Sequence, residues 1–410
     1  MSATAKRGGR LRGVLKSGFA LLLLALVASQ LPWRDVATYL PPGSAPEEEL
    51  ELSGDLLGSW RAEEVRFEAA EGQSLEGWPA PLREAAAIGE PLRLRRRAEG
   101  EPGTSWRPGM PHVFGGLEPG GLALALGSLL LGLVFGVTRW WRILNLAGCP
   151  STWANTLRLS FLGVFFNLIF PGITGGDVPK AVMVVREHPE RRADALTTVV
   201  LDRLIGVWAL VLLATGVAWA GGEAFAPLRL PSLGALLAGS LGIYLVLVPG
   251  PRRALGLDRI LERLPQGERL KKLEVASELF RGHPGELLGS VVLSLANHLA
   301  VALGVLMIGR ALGDDLEALA YLAIVPVVSL VSALPISPGG WGVGEAAYGT
   351  LFGMLGAEPA LGVAVSVTFR LCNVVLGLIG GLFLLAPGGR ETRLEALEAV
   401  REVEESPGPD

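Results

Sequence analysis

The sequence predicts an all-α polytopic membrane protein with about six full spans, two re-entrant hairpins in an inverted repeat, and a small extracytoplasmic β-rich insertion. Three observations predict this fold class. Half of the 410 residues are hydrophobic and only 19% are charged, which is typical of a membrane protein. Apolar runs recur along the chain at the length that crosses a bilayer. Many of the 55 glycines and 28 prolines lie inside these runs, where they indicate close helix packing or broken helices.

Six apolar runs of about 20 residues predict transmembrane helices. They cover residues 17–33, 119–138, 194–220, 231–249, 285–311 and 359–386. Five basic residues and no acid precede the first run, so the positive-inside rule places residues 1–16 in the cytoplasm. Alternation then puts 250–284, with eight basic against five acidic residues, on the same side. The acidic tail 387–410 is cytoplasmic too, and we expect a multi-pass protein of the plasma or inner membrane.

Residues 17–33 have a second interpretation, because a basic start, a short apolar core and small residues also fit a cleavable signal peptide. In either case the following segment, 34–118, lies outside the cytoplasm. Hydrophobic alternation at Val65, Phe67, Leu92 and Leu94 indicates short strands. We interpret 34–118 as a small β-rich domain, with a disordered loop as the alternative, and it could bind an extracytoplasmic partner.

Two pairs of apolar segments are too short to cross a bilayer. As helices they measure about 22 and 18 Å for the first pair and about 24 and 21 Å for the second, against a hydrocarbon core of about 30 Å. The pairs comprise residues 157–171 with 174–185 and residues 319–334 with 343–356. Gly- and Pro-rich stretches split both pairs, which predicts re-entrant hairpins with a site at their tips. Alternatively, these glycines only permit tight helix packing.

The two hairpins belong to an internal repeat with halves at about 119–220 and 285–386. Corresponding positions are separated by nearly constant offsets of 165 to 168 residues, and they are Gly148 and Gly313, Asp177 and Glu345, and Arg203 and Arg370. The first hairpin enters from the cytoplasm and the second from outside. Opposite entry predicts an inverted repeat, the pattern of transporters that alternate access around a midplane site.

Ionisable residues within these segments are candidates for that site, because each costs about 2.5 to 3.5 kcal/mol at a helix centre. Six such residues should be paired, namely Asp177, Lys180, Asp202, Arg203, Glu345 and Arg370. We expect the pairs Asp177–Arg203 and Glu345–Arg370; the alternative is that they are purely structural salt bridges. Each acid follows a glycine tip where a half-helix begins, and such helix N-termini suit a phosphate.

Four segments resemble the flippase-like family of the lysylphosphatidylglycerol synthase transmembrane region, which includes the multiple peptide resistance factor. They are RWWRILNLAG (139–148), NLIFPGITGGDVPKA (167–181), VVLDRLIG (199–206) and LPISPGGWGVGEAAY (334–348). The resemblance covers about 119–386 and implies an integral membrane protein that handles lipids. No aminoacyl-transferase domain follows the membrane region, so lipid synthesis is not expected.

The resemblance and the hairpin pattern together indicate a set of substrate-binding residues. These are Asn167, Pro171, Gly175, Gly176, Asp177, Lys180, Arg203, Pro338, Gly339, Gly340, Gly342, Glu345 and Arg370. Lys180 stands where many relatives have arginine, and Asp177 where they often have glutamate. Both differences leave the identity of the headgroup open.

The leading hypothesis is a translocator that moves a phospholipid or glycolipid with a phosphate-bearing headgroup between leaflets. Backbone N–H groups at the tips, with Lys180, Arg203 and Arg370, are expected to hold the phosphate. Asp177 and Glu345 are expected to balance the arginines or accept a cationic headgroup. A membrane-embedded lipid-modifying transferase and a membrane anchor for the outer domain remain alternatives.

Other classes of partner are not expected. The only cysteines, Cys149 and Cys372, form no CxxC motif, and the four histidines are scattered. This argues against a disulfide framework and a zinc site. We therefore expect no metal, no cofactor, no enzymatic activity and no nucleic-acid partner, and the oligomeric state stays open.

Overall fold

The computed structural model describes residues 33–45, 48–98, 101–169, 177–221, 223–254, 282–332 and 340–385, together with residues 29 and 337. The expected first span, 17–33, lies outside the described residues except for Ser29 and Trp33. The expected tail at 387–410 and most of the basic loop 250–284 also lie outside them.

The segment before the long helices folds as a five-stranded antiparallel sheet, here called the β domain (residues 35–107). Its elements are β1 (Asp35–Leu40), β2 (Leu50–Leu57), β3 (Glu64–Ala69), α1 (Ala80–Ala87), β4 (Leu92–Arg95) and β5 (Gly103–Arg107). The strand order is β4–β3–β2–β1–β5. Apart from β5, each strand pairs antiparallel with its neighbour in sequence, with α1 in the connection between β3 and β4.

Hydrophobic alternation explains the core of the β domain. Val65 lies opposite Leu94 and Phe67 opposite Leu92 in the β3–β4 register, and all four side chains are buried. Residues two apart point to the same face of a strand, so this spacing gathers them on one side of the sheet. The edge strands meet through Thr104, whose carbonyl accepts the Arg97 N–H at 2.8 Å. The sheet therefore curls around its core.

The rest of the described chain is helical. The helices are α2 (Met110–Gly115), α3 (Pro119–Leu146), α4 (Trp153–Ile169), α5 (Asp177–Glu187), α6 (Arg192–Ala220), α7 (Ala226–Leu247), α8 (Pro249–Ala254), α9 (Pro284–Leu312), α10 (Ala318–Ser332), α11 (Val343–Met354) and α12 (Pro359–Leu382). Among the described residues, α3, α6, α7, α9 and α12 are long and apolar enough to cross a membrane. The protein is a multi-pass membrane protein.

These five helices correspond to the last five expected spans, with one large difference in length. The span expected at 119–138 continues to Leu146. Arg139 and Trp140 are residue types that suggest a membrane boundary. They nevertheless lie within the helix, because both are buried against neighbouring helices. Helix α3 is therefore about two turns longer than the apolar run from which the span was predicted.

Helices α4 and α5, and likewise α10 and α11, form antiparallel pairs whose open ends lie at opposite ends of α6. In hairpin 1 (α4–α5), Asn155 and Arg158 both donate to the Glu187 carboxylate, at 2.8 and 2.9 Å. These contacts hold the start of α4 beside the end of α5. In hairpin 2 (α10–α11), Leu319 and Leu355 both pack against a cluster that contains Val217, near the end of α6, and Phe225, which follows α6. Hairpin 2 thus opens at the end of the bundle where α6 finishes, and hairpin 1 at the end where α6 begins.

Each hairpin packs against a long helix of the other half of the chain. Helix α4 lies along α12, and α10 lies along α6. Glycines permit the first contact: a Cβ atom at Gly380 would lie 2.1 Å from the Phe161 carbonyl oxygen, and one at Gly377 would lie 2.4 Å from Leu168. Small residues let helix backbones approach closely in membranes. Part of the glycine excess therefore serves helix packing.

The β domain docks on the end of the bundle where hairpin 2 opens. Its core is continuous with that of the helices through Met110 and Val113. Arg61 lies directly against Gly313, the left-handed residue that ends α9 at φ +87°. Burial raises the pKa of the Glu358 carboxyl before α12, while the β-domain cations Arg107 and Arg96 lower it. Arg61 thus places a cation at the C-terminus of α9, which is favourable because the last carbonyls of a helix carry partial negative charge.

This docking contact predicts an excess cost for Gly313→Ala. Gly313 and Gly356 both have positive φ, so alanine costs roughly 1 to 2 kcal/mol at either position. Only at Gly313 would the new Cβ displace a partner, Arg61, whereas nothing lies within 4 Å at Gly356. We expect Gly313→Ala to lower the free energy of unfolding by an additional 0.5 to 1 kcal/mol or so. Thermal unfolding of the purified protein measures the difference.

Arg61→Ala supplies the internal control for that comparison. In this background the guanidinium that the new Cβ would displace is absent. Gly313→Ala and Gly356→Ala should therefore lower the free energy of unfolding by the same amount. An excess cost at Gly313 that persists without Arg61 contradicts the docking role of this arginine.

Candidate functional site

A carboxylate between two cations lies in the interior of the helix bundle. The Arg139 Nε–H donates to Asp202 Oδ1 at 2.7 Å, and Lys180 Nζ lies 3.7 Å from Asp202 Oδ2. The three residues come from α3, α5 and α6, and their side chains are between 8% and 14% exposed. Charges so far from water need partners, because their desolvation otherwise costs several kcal/mol each. We call this group the cationic triad.

Neighbouring side chains make further contacts with the cations of the triad. The second nitrogen of Arg139, Nη1, donates to Ser294 Oγ of α9 at 2.6 Å. Lys180 lies over the indole ring of Trp140, with Nζ 3.7 Å from the ring centroid. Such a cation–π contact is stronger when water is excluded. The triad therefore ties α5 and α6 to both α3 and α9.

A cavity of about 240 Å³ opens beside the triad. Its polar lining among the described residues comprises Arg139, Lys180, Asp202, Arg203 and His298, so three cations and one carboxylate of the described part of the chain face it. The His298 ring is fixed by a hydrogen bond between Nε2 and the Gly206 carbonyl at 2.9 Å. We call this space the cationic cavity. Its excess of positive lining groups suits an anion such as a phosphate.

The cationic cavity lies deep along the helices. Asp202 and Arg203 are about ten residues beyond the start of α6, which is roughly 15 Å along the helix axis. That depth is about half of a bilayer core. In the other half of the chain, Arg370 is about eleven residues beyond the start of α12, or roughly 16 Å.

Glu345 and Arg370 form the predicted ion pair. Arg370 Nε donates to Glu345 Oε1, and Nη2 donates to the Gly340 carbonyl at 2.7 Å. The guanidinium also lies 4.5 Å from the ring centroid of Trp341. Glycine is needed at Gly340 and Gly342, whose φ angles are +69° and +80°, because this tip of hairpin 2 reverses within a few residues.

Two groups at this tip are paired within the chain. The Gly342 N–H donates to Glu345 Oε2 at 2.7 Å, so the helix supplies its own N-terminal carboxylate, and this donor does not face a phosphate. Glu345 is 1% exposed, with one oxygen on Arg370 and the other on Gly342. It therefore balances Arg370 as expected, but it has no open face for a cationic headgroup.

A larger cavity, of about 750 Å³, lies between the two hairpins and α12. Hairpin 1 contributes Asn167 and Phe165, and hairpin 2 contributes Trp341 and Tyr348. Arg370 and Asn373 line it from α12. We call this space the hairpin cavity. It brings together residues from both halves of the sequence, as the predicted site at the hairpin tips requires.

Several expected site residues cannot be placed. Pro171, Gly175, Gly176, Pro338 and Gly339 lie outside the described residues, as does the side chain of Asp177. The expected pair Asp177–Arg203 therefore stays a prediction. Four of the described candidates line the cavities: Lys180 and Arg203 the cationic cavity, and Asn167 and Arg370 the hairpin cavity. The other three, Gly340, Gly342 and Glu345, form the tip of hairpin 2 around Arg370.

Several contributors to the two cavities were not expected from the sequence. Arg139 lies in RWWRILNLAG (139–148), but at the end of a hydrophobic run an arginine usually indicates the membrane surface. Asp202 was expected to be paired, but its partners Arg139 and Lys180 lie 63 and 22 residues upstream, on other helices. Ser294 and Trp341 carried no signal of their own. Among the described residues, no group of three His, Cys, Asp or Glu could hold a metal ion.

The fold and these two cavities define a multi-pass membrane domain with ion pairs inside its helix bundle. The family model described as "Lysylphosphatidylglycerol synthase TM region" matches residues 110–381. The chain therefore belongs to this family, as its motifs indicated. Comparison with curated proteins returns no match. The match begins at α2, so the β domain precedes the region that the family shares.

The cationic triad predicts a large stability loss for Asp202→Asn. Removing the carboxylate takes the counter-charge from the buried Arg139 guanidinium, which typically costs about 3 to 5 kcal/mol. Glu286→Gln is the matched control, since Glu286 also pairs with an arginine of α3, Arg142, but both side chains are 35% exposed. We expect this control to cost less than about 1 kcal/mol. Thermal unfolding in detergent compares the two, and equal costs would contradict a buried triad.

Proposed function

We propose that this protein is a lipid translocator that moves a phosphate-bearing lipid headgroup through the bundle while the acyl chains stay in the bilayer. The observation that carries the proposal is the cationic cavity. Of the residues that the structure describes, three cations and one carboxylate line a space about halfway along the membrane helices. Intramembrane charges are costly, and they mark substrate pathways in transporters by default. A phosphate that enters the cavity gains charge-assisted hydrogen bonds that replace its hydration shell.

The arrangement of the helices supports an inverted repeat. The two hairpins enter from opposite ends, and each packs against the long helix that follows the other hairpin in sequence. The corresponding residues Gly148 and Gly313 both have positive φ and end α3 and α9. Both also contact an arginine, Arg191 and Arg61 respectively. Inverted repeats allow two equivalent conformations that open a central site to opposite sides.

In this mechanism the site residues work by holding and releasing the headgroup. Lys180 lies 3.7 Å from Asp202 and lines the cavity, so in this proposal a phosphate contacts its ammonium while the Arg139–Asp202 bond stays intact. Arg203, the residue after Asp202 in α6, lines the same cavity. The Glu345–Arg370 pair supports the turn of hairpin 2 rather than the phosphate.

A leaflet-sidedness assay in proteoliposomes tests the proposal. Fluorescent phosphatidylglycerol is incorporated in both leaflets, and its exposure to a membrane-impermeant quencher reports transfer. We expect Lys180→Gln and Arg203→Gln each to slow transfer about tenfold or more, since a lost charge-assisted hydrogen bond costs roughly 1.5 to 3 kcal/mol. Lys180→Arg should restore most of the rate, because it keeps the charge.

Arg142→Gln is the control, because Arg142 pairs with Glu286 in a half-exposed position outside both cavities. Its rate should match that of the unmodified protein. If Lys180→Gln and Arg203→Gln also match it while remaining folded, the proposal is wrong. Mass spectrometry of the lipids in the same vesicles separates the alternative, since a lipid-modifying transferase would create a new lipid species.

A further inference from the structure

We propose that the β domain is a clamp that holds hairpin 2 at its open end and so restrains its movement during transport. The restraint is a property of the fold, and its effect on transport rests on the proposed function. The clamp contacts the two connections that flank hairpin 2 in sequence, one between α9 and α10 and one between α11 and α12. Hairpin 1 is held differently, because its own residues join the equivalent connections.

Hydrogen bonds within the first half of the chain hold the open end of hairpin 1. Arg191, which precedes α6, donates through Nη1 to the Ala147 carbonyl at the end of α3, at 3.4 Å. His188 Nε2 lies 3.1 Å from the Pro150 carbonyl oxygen in the connection between α3 and α4. Glu187, the last residue of α5, accepts hydrogen bonds from two side chains of α4. The two ends of hairpin 1 are therefore joined directly to each other.

The open end of hairpin 2 is joined in another way. Among the described residues at this end, side-chain hydrogen bonds stay on one side of the hairpin: Arg310 donates to the carbonyls of Asp314 and Leu316, and Tyr321 donates to the Asp314 carboxylate. The two helices meet instead through apolar contacts, with the ring centroids of Tyr321 and Phe352 5.8 Å apart. Packed helices can slide past one another, and such contacts oppose sliding less than hydrogen bonds between fixed partners do.

The internal repeat explains this difference. The offset of 167 residues that relates Arg203 to Arg370 also relates Arg191 to Glu358. An ionised carboxylate only accepts hydrogen bonds. Glu358 therefore cannot donate to the carbonyls at the end of α9 as Arg191 does at the end of α3. The residue at this position removes from the second half the contact that closes the first.

The β domain supplies a contact at the connection between α9 and α10. The Arg61 guanidinium lies so close to Gly313 that no Cβ atom would fit there. Trp60 supports this arginine, with its ring centroid 5.4 Å from Cζ. The chain that leads from the β domain into α3 adds a second contact, because the Glu118 N–H donates to the Ala311 carbonyl in the last turn of α9 at 3.0 Å. The end of α9 is thus held twice.

The β domain also reaches the connection between α11 and α12. Burial raises the pKa of the Glu358 carboxyl, and Arg107 and Arg96 lower it, so both arginines are near enough to interact with its charge. Helix α2, which follows the β domain, packs against α12. Gly313 and Glu358 lie on either side of hairpin 2 in sequence. The β domain therefore joins two connections that the second half does not join by itself.

This arrangement makes the two ends of the bundle unequal. The end at hairpin 1 is held by the membrane domain alone, whereas the end at hairpin 2 depends on a separate domain. That domain can loosen without breaking the ion pairs inside the bundle. In the proposed transport, hairpin 2 shifts when the site opens to the side that it faces. The clamp then sets how readily this step occurs.

Hydrogen exchange of the full-length protein in lipid nanodiscs tests the clamp through a charge series at Arg61. Arg61→Ala removes the cation from the end of α9 and should speed amide exchange at both connections of hairpin 2 about two- to fivefold. Arg61→Glu should speed it further, because an acid is unfavourable at a helix C-terminus. Arg61→Lys keeps the charge and should stay close to the unmodified protein. Exchange at the connections of hairpin 1 should not change.

Arg95→Ala is the matched control. Arg95 also belongs to the β domain, but it lies 3.9 Å from Glu64 and the two side chains are 78% and 75% exposed. Its removal should leave exchange at hairpin 2 unchanged. Exchange in β2 and β3 shows whether each variant keeps its fold, and Arg61→Ala, which adds no acid, decides the question where Arg61→Glu does not.

Three results overturn the clamp. They are unchanged exchange at hairpin 2 in Arg61→Ala and Arg61→Glu, an equal rise at hairpin 1, as a general loss of stability would give, and equal exchange in Arg61→Lys and Arg61→Glu.

Leaflet transfer in the same variants separates the clamp from the proposed function. Arg61→Ala should speed transfer of fluorescent phosphatidylglycerol about twofold or more, because a restraint on a conformational step is released. Faster exchange at hairpin 2 in vesicles that transfer no lipid refutes the translocator and leaves the clamp. Transfer with unchanged exchange across the Arg61 series refutes the clamp alone. Faster exchange without faster transfer overturns its control of transport.

Discussion

The helix bundle depends on one constraint, that a charge inside it must be neutralised by a side chain from another helix. Asp202 of α6 is the centre of this arrangement, since it joins Arg139 of α3 and Lys180 of α5. In the second half Glu345 does the same for Arg370. Removal of Asp202 would leave the buried Arg139 guanidinium without its carboxylate, away from water. The ion pairs therefore fix the positions of the short helices, and the two cavities lie beside them.

Glycine meets the second requirement, which is space. The contact between α4 and α12 brings Gly380 so close to the Phe161 carbonyl that no Cβ atom fits. At the tip of hairpin 2, Gly340 and Gly342 instead provide positive φ angles. Both interpretations of the glycine excess are thus correct at different positions: helix packing along the spans and chain reversal at the tip.

The β domain also contributes charged contacts to the helix ends of the bundle. In the first half, Arg191 lies against Gly148 at the end of α3. The second half has an acid, Glu358, before α12, and the β domain brings Arg61 to Gly313 and further arginines near Glu358. An insertion that precedes the family region thus supplies cations at one end of the bundle. Its docking surface is built into the helix core rather than attached by a free linker.

The sequence by itself determined the membrane class, the family, the strand pattern at Val65 and Leu94, and the Glu345–Arg370 pair. These follow from local rules: hydropathy over a bilayer length, period-two alternation, and the high cost of a lone charge in lipid. Only the tertiary structure decided that Arg139 turns inward to Asp202, that Gly342 is capped by Glu345, and that neutral groups line the hairpin cavity. Those outcomes depend on which helix faces which, and packing between distant segments sets that relation.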